Sequence, residues 1–462
     1  LKGFPCADEK PPGSLDLARW TILLPTRRAV RELEDIFFRL TGSSGVLLPR
    51  IRPLGDIDED LLAPEHGIDD LGTPVSAPGQ LLLLMDLIDE WAKAHPTTRL
   101  AREIAAAPHQ VGGLASSLAE LLDSIETEDI DLARLLPDLY GLESAQHREA
   151  ILEFLAIAKE KYPQRLAAEQ AIGPQARRSA ILRREAKRLE FTRTEKPFIA
   201  AGSTGSIPAT CALLKAIAGL PNGAVVPPGL DQIMDEPSWN AVGPTHPQHA
   251  LKKLLDTLGA ARQHVQEIGD ALPGPRSWLA SELMRPADTA HLWHGALKGQ
   301  EARVAAAMEG VELVEARSIP EQAVAASLIL RECLETPGRT GCLVTPDRQL
   351  ARRVKVELKR WNIEINDSAG EPLVRHGGAA LPNLLLDALR QDFAAEPLAA
   401  LLRHDLALFG LAPEEARHHA SLIEIALLRA GMGAPEIGRL AHALRLAAEA
   451  QKKRSTHLLL RA

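Results

Sequence analysis

No Gly-Lys dipeptide occurs anywhere in the 462 residues. The chain therefore holds no Gly-x-x-x-x-Gly-Lys-Ser/Thr loop, in which backbone amides and a lysine cradle phosphates. Cysteine is scarce: Cys6, Cys211, Cys333 and Cys342 lie far apart, with no Cys-x-x-Cys pair. Their spacing gives neither a disulfide framework nor a zinc site, and a reducing cytoplasm is the simplest setting. No apolar run approaches the roughly 20 residues that a membrane span needs. The longest, Leu81 to Met85, is interrupted by Asp86, Asp89 and Glu90. Neither a His-Glu-x-x-His pair nor a nucleophile elbow is present. Aromatics make up only 3% of the chain, with six Trp, two Tyr and eight Phe, so no base-stacking residue can be assigned from sequence. The start, Leu1-Lys2-Gly3-Phe4-Pro5, has no initiator Met, basic leader or apolar signal core. It reads as a cut or processed end, and the far end, Ser455 to Ala462, stops within helical sequence as expected of a fragment.

What remains is ordinary globular composition, 45% hydrophobic and 25% charged, rich in the helix formers Ala, Leu and Arg. The length suggests about two to four domains. A net charge of −8 argues mildly against nucleic-acid binding, although the distribution of charge counts for more than its sum.

Trp20 to Leu24 is a short β-branched and apolar run ended by Pro25, the pattern of a buried strand. Thr26 is placed to cap the helix that follows, in which Val30, Leu33, Ile36, Phe37 and Leu40 recur at helical spacing. A similar unit recurs at Gly341 to Thr345, followed by Pro346-Asp347-Arg348 and a helix with Leu350, Val354, Leu358 and Trp361 on one face. Residues 80–190 read as almost wholly helical, with one stripe at Leu114, Leu118, Leu121, Leu122 and Ile125. Ile151, Leu152, Phe154 and Leu155 mark another helix. Strand signals return at Phe198 to Ala201 and Gly223 to Val226, flanking a helix from about Pro208 to Leu220. Val311 to Ala316 has the pattern of an edge strand, and the chain beyond 380 is helical again. The architecture expected is α/β with large helical insertions.

Several polar features invite function, each with a plainer alternative. The loop Gly202-Ser203-Thr204-Gly205-Ser206 joins a strand to a helix N-terminus, where amides, hydroxyls and the helix dipole suit a phosphate; alternatively its glycines only turn the chain. Arg27 and Arg28 follow a strand tip, at the carboxyl edge where open α/β sheets bind ligands. With Thr26 they are placed to grip a DNA phosphate, or else they cap and pair on the surface. Two basic stretches can follow a nucleic-acid backbone or be solvated helix faces. One comprises Arg177, Arg178, Arg183, Arg184, Lys187, Arg188 and Arg193, the other Arg348, Arg352, Arg353, Lys355, Lys359 and Arg360. The acidic segment Asp56, Asp58, Glu59, Asp60, Glu65, Asp69 and Asp70 matches no EF-hand loop and reads as an acidic loop. Asp89-Glu90 reads as a solvated face. His246, His249, His291 and His294 signal no third metal ligand, and His291 to His294 reads as packing. No catalytic residue and no metal site are expected.

Several stretches together resemble the AddB family, in its alpha-proteobacterial form. They are Ile22 to Ala29, Leu47 to Glu59, Ala201 to Thr210, Pro228-Gly229-Leu230-Asp231, His246-Pro247-Gln248 and Leu343 to Arg348. The resemblance spans most of the chain in family order. It implies the front part of a helicase-like subunit of a double-strand-break repair helicase–nuclease, with an inactivated superfamily-1 helicase-like fold of two RecA-like parallel-sheet domains. The implied layout is a first RecA-like domain at 1–105 and 191–310, split by a 1B-like helical insertion at 106–190. A second RecA-like domain starts at 311–380 and a 2B-like helical region covers 381–462.

The resemblance implies that Thr26, Arg27, Arg28, Ser203, Thr204, Thr345 and Arg348 contact DNA. Gly202, Gly205 and Gln232 would be remnants of a nucleotide site, with Gly202 to Gly205 replacing the acidic ATPase motif. The implied partners are the AddA motor subunit and single- and double-stranded DNA, without a membrane, in the cytoplasm. No cofactor is implied for this fragment. In the whole family ATP sits on the partner, magnesium takes part, and a 4Fe–4S cluster belongs to a C-terminal nuclease. Two other readings stay open: a divergent ATP-dependent helicase whose phosphate loop lies upstream, and a structural adaptor that binds only protein.

Overall fold

Four short strands, each preceded or followed by a helix, can satisfy their backbones only by pairing with one another, and they do so in parallel. The computed structural model describes residues 14–41, 47–54, 71–131, 154–268, 274–370, 372–373 and 376–425, with isolated positions beyond. Strands β1 (Thr21–Leu24), β2 (Arg50–Pro53), β5 (Phe198–Ala201) and β6 (Gly223–Val226) form one parallel sheet in the order β2-β1-β5-β6. Thr21 pairs with Arg50 on one side and with Phe198 on the other. A second, two-stranded parallel pair joins β3 (Thr73–Pro74) to β4 (Ala171–Ile172).

Helix α1 (Arg27–Thr41) packs along β1 and β2. Alternation along β1 sends Leu23 to the opposite face, where it joins Phe198, Ala200 and Leu54 in one core with helices α6 (Pro174–Thr192) and α7 (Pro208–Ala218). Leu182, Leu189, Leu213, Leu214 and Ile217 are essentially sealed from solvent there. Each such side chain contributes about 2 kcal/mol of burial. The sheet is covered by real packing on this face, whereas on α1 Val30, Leu33 and Phe37 are half-buried and Ile36 and Leu40 are exposed.

Between β2 and β5 lies a helical layer with its own core. Helices α2 (Ala77–Ala94), α3 (Arg99–Ala106), α4 (Val111–Glu128) and α5 (Tyr162–Ala168) enclose Leu84, Ile88, Trp91, Ala115, Leu118, Ile157 and Tyr162. Ser76 and Thr98 cap α2 and α3 through their hydroxyls. The expected stripe on α4 is met at Leu118 and Leu122, with Leu121 turned outward at 37% exposure. Asp89 and Glu90 form surface ion pairs with Lys93 and Arg165. Of the helix expected at 151–155, Ile151 and Leu152 fall outside the described residues, as does the acidic segment 56–70.

Glu126 accepts a hydrogen bond from the Ala176 amide at the start of α6 (3.0 Å) and so ties this layer to the sheet's cover. Burial raises its pKa above the ordinary 4.5, and the Asp123 charge adds to the rise. Beside it, burial and then the Glu126 charge push the Tyr162 hydroxyl up to about 12.

After β6 come α8 (Glu236–Asn240), α9 (His249–Leu258), α10 (Pro275–Leu283), α11 (Trp293–Leu297) and α12 (Glu301–Met308). His291 to His294 was expected to pack inward, yet all four residues are exposed, Trp293 at 42%. The chain divides into two compact units, Leu1–Val311 and Glu312–Ala462. The second unit contains α13 (Ile319–Glu335), α14 (Arg348–Lys359), α15 (Gly377–Arg390), α16 (Ala395–Leu402) and α17 (Pro413–Ile423). Helices α13 and α14 pack through Ala323, Leu350, Val354 and Leu358, the face expected on α14, with Trp361 against it.

The strands expected at Val311–Ala316 and Gly341–Thr345 are not formed; both segments are irregular, and Leu313 and Val344 are 86% and 87% exposed. Their side-chain pattern is right for strands, but a strand is defined by a ladder, and among the described residues of this unit no segment pairs with them. Among the described residues of the second unit there is accordingly no parallel sheet.

Two outcomes test this packing. A Cβ at Gly223 would stand 1.8 Å from the Ile217 carbonyl oxygen and 2.9 Å from Leu220 Cβ. Gly223→Ala is expected to cost about 3 kcal/mol or more, read as a lowered denaturant midpoint. For Glu126 the sign follows from its raised pKa. The protonated form is favoured in the fold, so its contribution is present at low pH and is lost as pH rises from 4.5 through the raised value. Glu126→Gln keeps an acceptor for the Ala176 amide, and its Tm relative to the parent should rise across that window. A difference independent of pH would contradict the assignment.

Candidate functional site

Parallel pairing aligns the carboxyl ends of β1, β5 and β6 along one edge, and the end of β5 is bonded to the end of β6. At the end of β1, Thr26 does what its position predicts: its hydroxyl accepts a hydrogen bond from the Ala29 amide (3.1 Å) and caps α1. Arg27 and Arg28, the first residues of α1, are exposed and have interactions within the chain. At the end of β5, Gly202 takes φ +79°, and a Cβ there would press on Pro25 Cδ at 3.1 Å. Its amide donates to the Val226 carbonyl at the end of β6 (2.9 Å). Gly202 therefore ties the end of β5 to that of β6 and lies close to the Pro25 turn after β1, in a conformation that L side chains rarely adopt.

Ser203 and Thr204 are half-buried, and the Ser203 hydroxyl accepts from the Gly205 amide (3.3 Å). Gly205 is also left-handed, at φ +65°, and buried where a Cβ would meet Leu214 and Leu254. Chain turning and close packing thus explain both glycines. No carboxylate follows β5; the side-chain oxygens of this loop are the hydroxyls of Ser203, Thr204 and Ser206.

The loop after β6 is held by side chains that are distant in sequence. Gln248 Nε2 donates to the Gly229 carbonyl (2.9 Å), and Gln248 Oε1 accepts from the Asp231 amide (3.1 Å). Asp231 in turn accepts from the Ile233 and Met234 amides, both at 2.9 Å. Arg262, buried, donates to the Asp231 carbonyl (3.2 Å), pairs with Glu236 (2.7 Å) and lies 4.7 Å over the Trp239 ring. The Gln248 amide donates to His246 Nδ1 (3.0 Å), so the proton sits on Nε2, which faces the Met284 carbonyl at 2.6 Å.

Sequence reasoning placed Gln232 among nucleotide-site remnants. Its amide nitrogen instead donates to the carbonyls of Arg262 (3.3 Å) and Val265 (2.6 Å). It holds a loop. The roles of Gln248 and Arg262 were not legible: nothing local marks either residue, because both act on a loop many residues away.

Thr345 and Arg348 lie in the second unit. The Thr345 hydroxyl accepts from the Asp347 amide (3.1 Å), and Asp347 caps α14 at Gln349 (2.7 Å). Arg348 makes a two-pronged pair with Asp367 (3.1 and 2.7 Å) and donates to the Gly370 carbonyl (3.1 Å). The Arg348 hydrogen bonds, with one from the Ala369 amide, lower the Asp367 pKa to about 2. Arg348 is thus committed to shaping the turn after α14, while Arg352, Arg353 and Lys359 on the same helix are exposed.

The other basic stretch divides similarly. Arg177 is buried and donates to the Gly72 carbonyl (2.6 Å), Arg183 pairs with Asp129 (2.8 Å) and Arg188 pairs with Glu185 (2.6 Å). Arg184, Lys187 and Arg193 are exposed. Among the described residues no group of three or more His, Cys, Asp or Glu side chains is placed to hold a metal ion, and no helix is long and apolar enough to cross a membrane. No family model and no curated protein matches the chain.

Because the Gln232 amide bridges two carbonyls, Gln232→Ala should cost about 1–2 kcal/mol of stability. Thermal unfolding checks this, and a variant as stable as the parent would return Gln232 to the list of residues free to bind a ligand.

Proposed function

We propose that the chain is the helicase-like scaffold of an AddB-type subunit, with a RecA-like sheet in its first unit. In this reading it guides single-stranded DNA beside a separate ATP-driven motor subunit of the AddA type and hydrolyses no nucleotide itself. One observation carries the reading. A parallel α/β sheet brings Thr26, Arg27 and Arg28 next to a Gly-Ser-Thr-Gly loop at its carboxyl edge, the place where such sheets bind ligands. The same edge has cations and hydroxyls for phosphate oxygens but no carboxylate after β5 for magnesium. Thr345 and Arg348 of the proposed DNA-contacting set lie in the second unit and, like Thr26, Arg27 and Arg28, already have interactions within the chain.

Phosphate contacts made by arginine release condensed counterions, so their loss weakens binding and flattens its salt dependence. Arg27→Ala with Arg28→Ala should reduce single-stranded DNA affinity several-fold and lower the log–log salt slope by about 1.4, at about 0.7 for each contact. Fluorescence anisotropy over a salt series measures both. Parent-like affinity and slope would remove this edge from the DNA path.

A further inference from the structure

At the last turn of α6, Phe191 is 91% exposed, more than any other large apolar side chain among the described residues. Neighbours three, four and seven positions back share its side of a helix, and here they are Arg188, Lys187 and Arg184. From Arg184 to Phe191 the stripe runs two turns, about 10 Å. Arg193, left-handed at φ 42°, and Lys196 extend the cationic surround past the helix end, and Arg184, Lys187, Arg193 and Lys196 are all exposed. Two carboxylates on this side are exposed as well, Glu190 a quarter-turn round the helix and Glu195 in the link to β5, while Glu185 is held by Arg188. Phe191 precedes β5, so it stands toward the opposite end of that strand from the Gly202 loop.

The Phe191 ring belongs to none of the buried clusters of the fold, so what sets it apart is its charged surround. A bare aromatic face flanked by lysine and arginine is the pairing that holds single-stranded nucleic acid: the ring stacks on a base and the cations follow the backbone. A protein-docking patch would centre on a contiguous apolar core depleted of charge, whereas the neighbours that flank Phe191 on its helix face are charged.

We infer that Phe191, with Lys187, Arg184, Arg193 and Lys196, forms a second single-stranded DNA contact in which the Phe191 ring stacks on a base. The inference rests on the DNA-scaffold reading above and names a site that is separate from Arg27 and Arg28.

The experiment is oligothymidylate binding by the whole chain, comparing Phe191→Ala, Phe191→Tyr and the Arg27/Arg28 double variant. Phe191→Ala should weaken binding roughly 5- to 150-fold, the range that base–aromatic stacking carries, and Phe191→Tyr should restore it. Since the ring touches no core, all variants should unfold with the parent's Tm. Parent-like binding by Phe191→Ala overturns this inference and leaves Phe191 as a protein contact. The DNA-scaffold reading then survives if the Arg27/Arg28 variant is weakened. A parent chain that binds no oligothymidylate at low salt overturns both.

Discussion

The pairing of β1 with β5 is the constraint on which the first unit depends. Thr21 meets Phe198 across a span that contains the whole helical layer, and only this ladder converts two separate strand–helix units into one sheet. The pairing also brings the Pro25 turn against Gly202, and Gly202 reaches across to Val226. Such non-local contacts must overcome loop-closure entropy before they contribute stability. The buried leucines of α6 and α7, packed on Leu23, Phe198 and Ala200, supply the offsetting hydrophobic term. The helical layer has an independent core and is joined to the sheet's cover by the Glu126 cap on α6 and by Arg177 on the Gly72 carbonyl.

Near that edge the polar side chains mostly hold the fold's own loops. The polar side chains near the strand ends are largely engaged with backbone groups: Thr26 with Ala29, Ser203 with Gly205, Gln232 with two carbonyls, Gln248 with the Gly229 and Asp231 backbone. Behind them Arg285 bridges Asp235, Ser238 and Glu282 in a nearly buried cluster, and Lys252 covers the carbonyls of Trp239 and Asn240. A loop fixed in this way is preorganised, so a ligand that met it would pay little ordering cost. Arg27, Arg28, Arg352, Arg353 and Lys187 are exposed, Arg27 and Arg28 with interactions inside the chain.

How much was legible beforehand follows from the range of each signal. The strand ends at Leu24, Ala201 and Val226 and the buried face of α14 were legible because turn residues and apolar period act within a few positions. Val311–Ala316 carries the same local pattern and forms no strand, because pairing depends on a partner that pattern does not report. Thr26 as a cap was readable for the same local reason. The commitments of Gln232 to Val265 and of Arg348 to Asp367 were not, since each partner is chosen by tertiary geometry. Phe191 was hidden among eight phenylalanines; sequence counts a ring, and only the fold shows that this one packs on nothing.

Single-stranded DNA affinity of this chain, measured across a salt series with and without ATP and magnesium, tests the central claim most directly. A scaffold that holds DNA without a nucleotide site predicts binding that falls steeply with salt and is the same in both nucleotide conditions. Affinity that shifts with ATP and magnesium, or no binding at low salt, would contradict it.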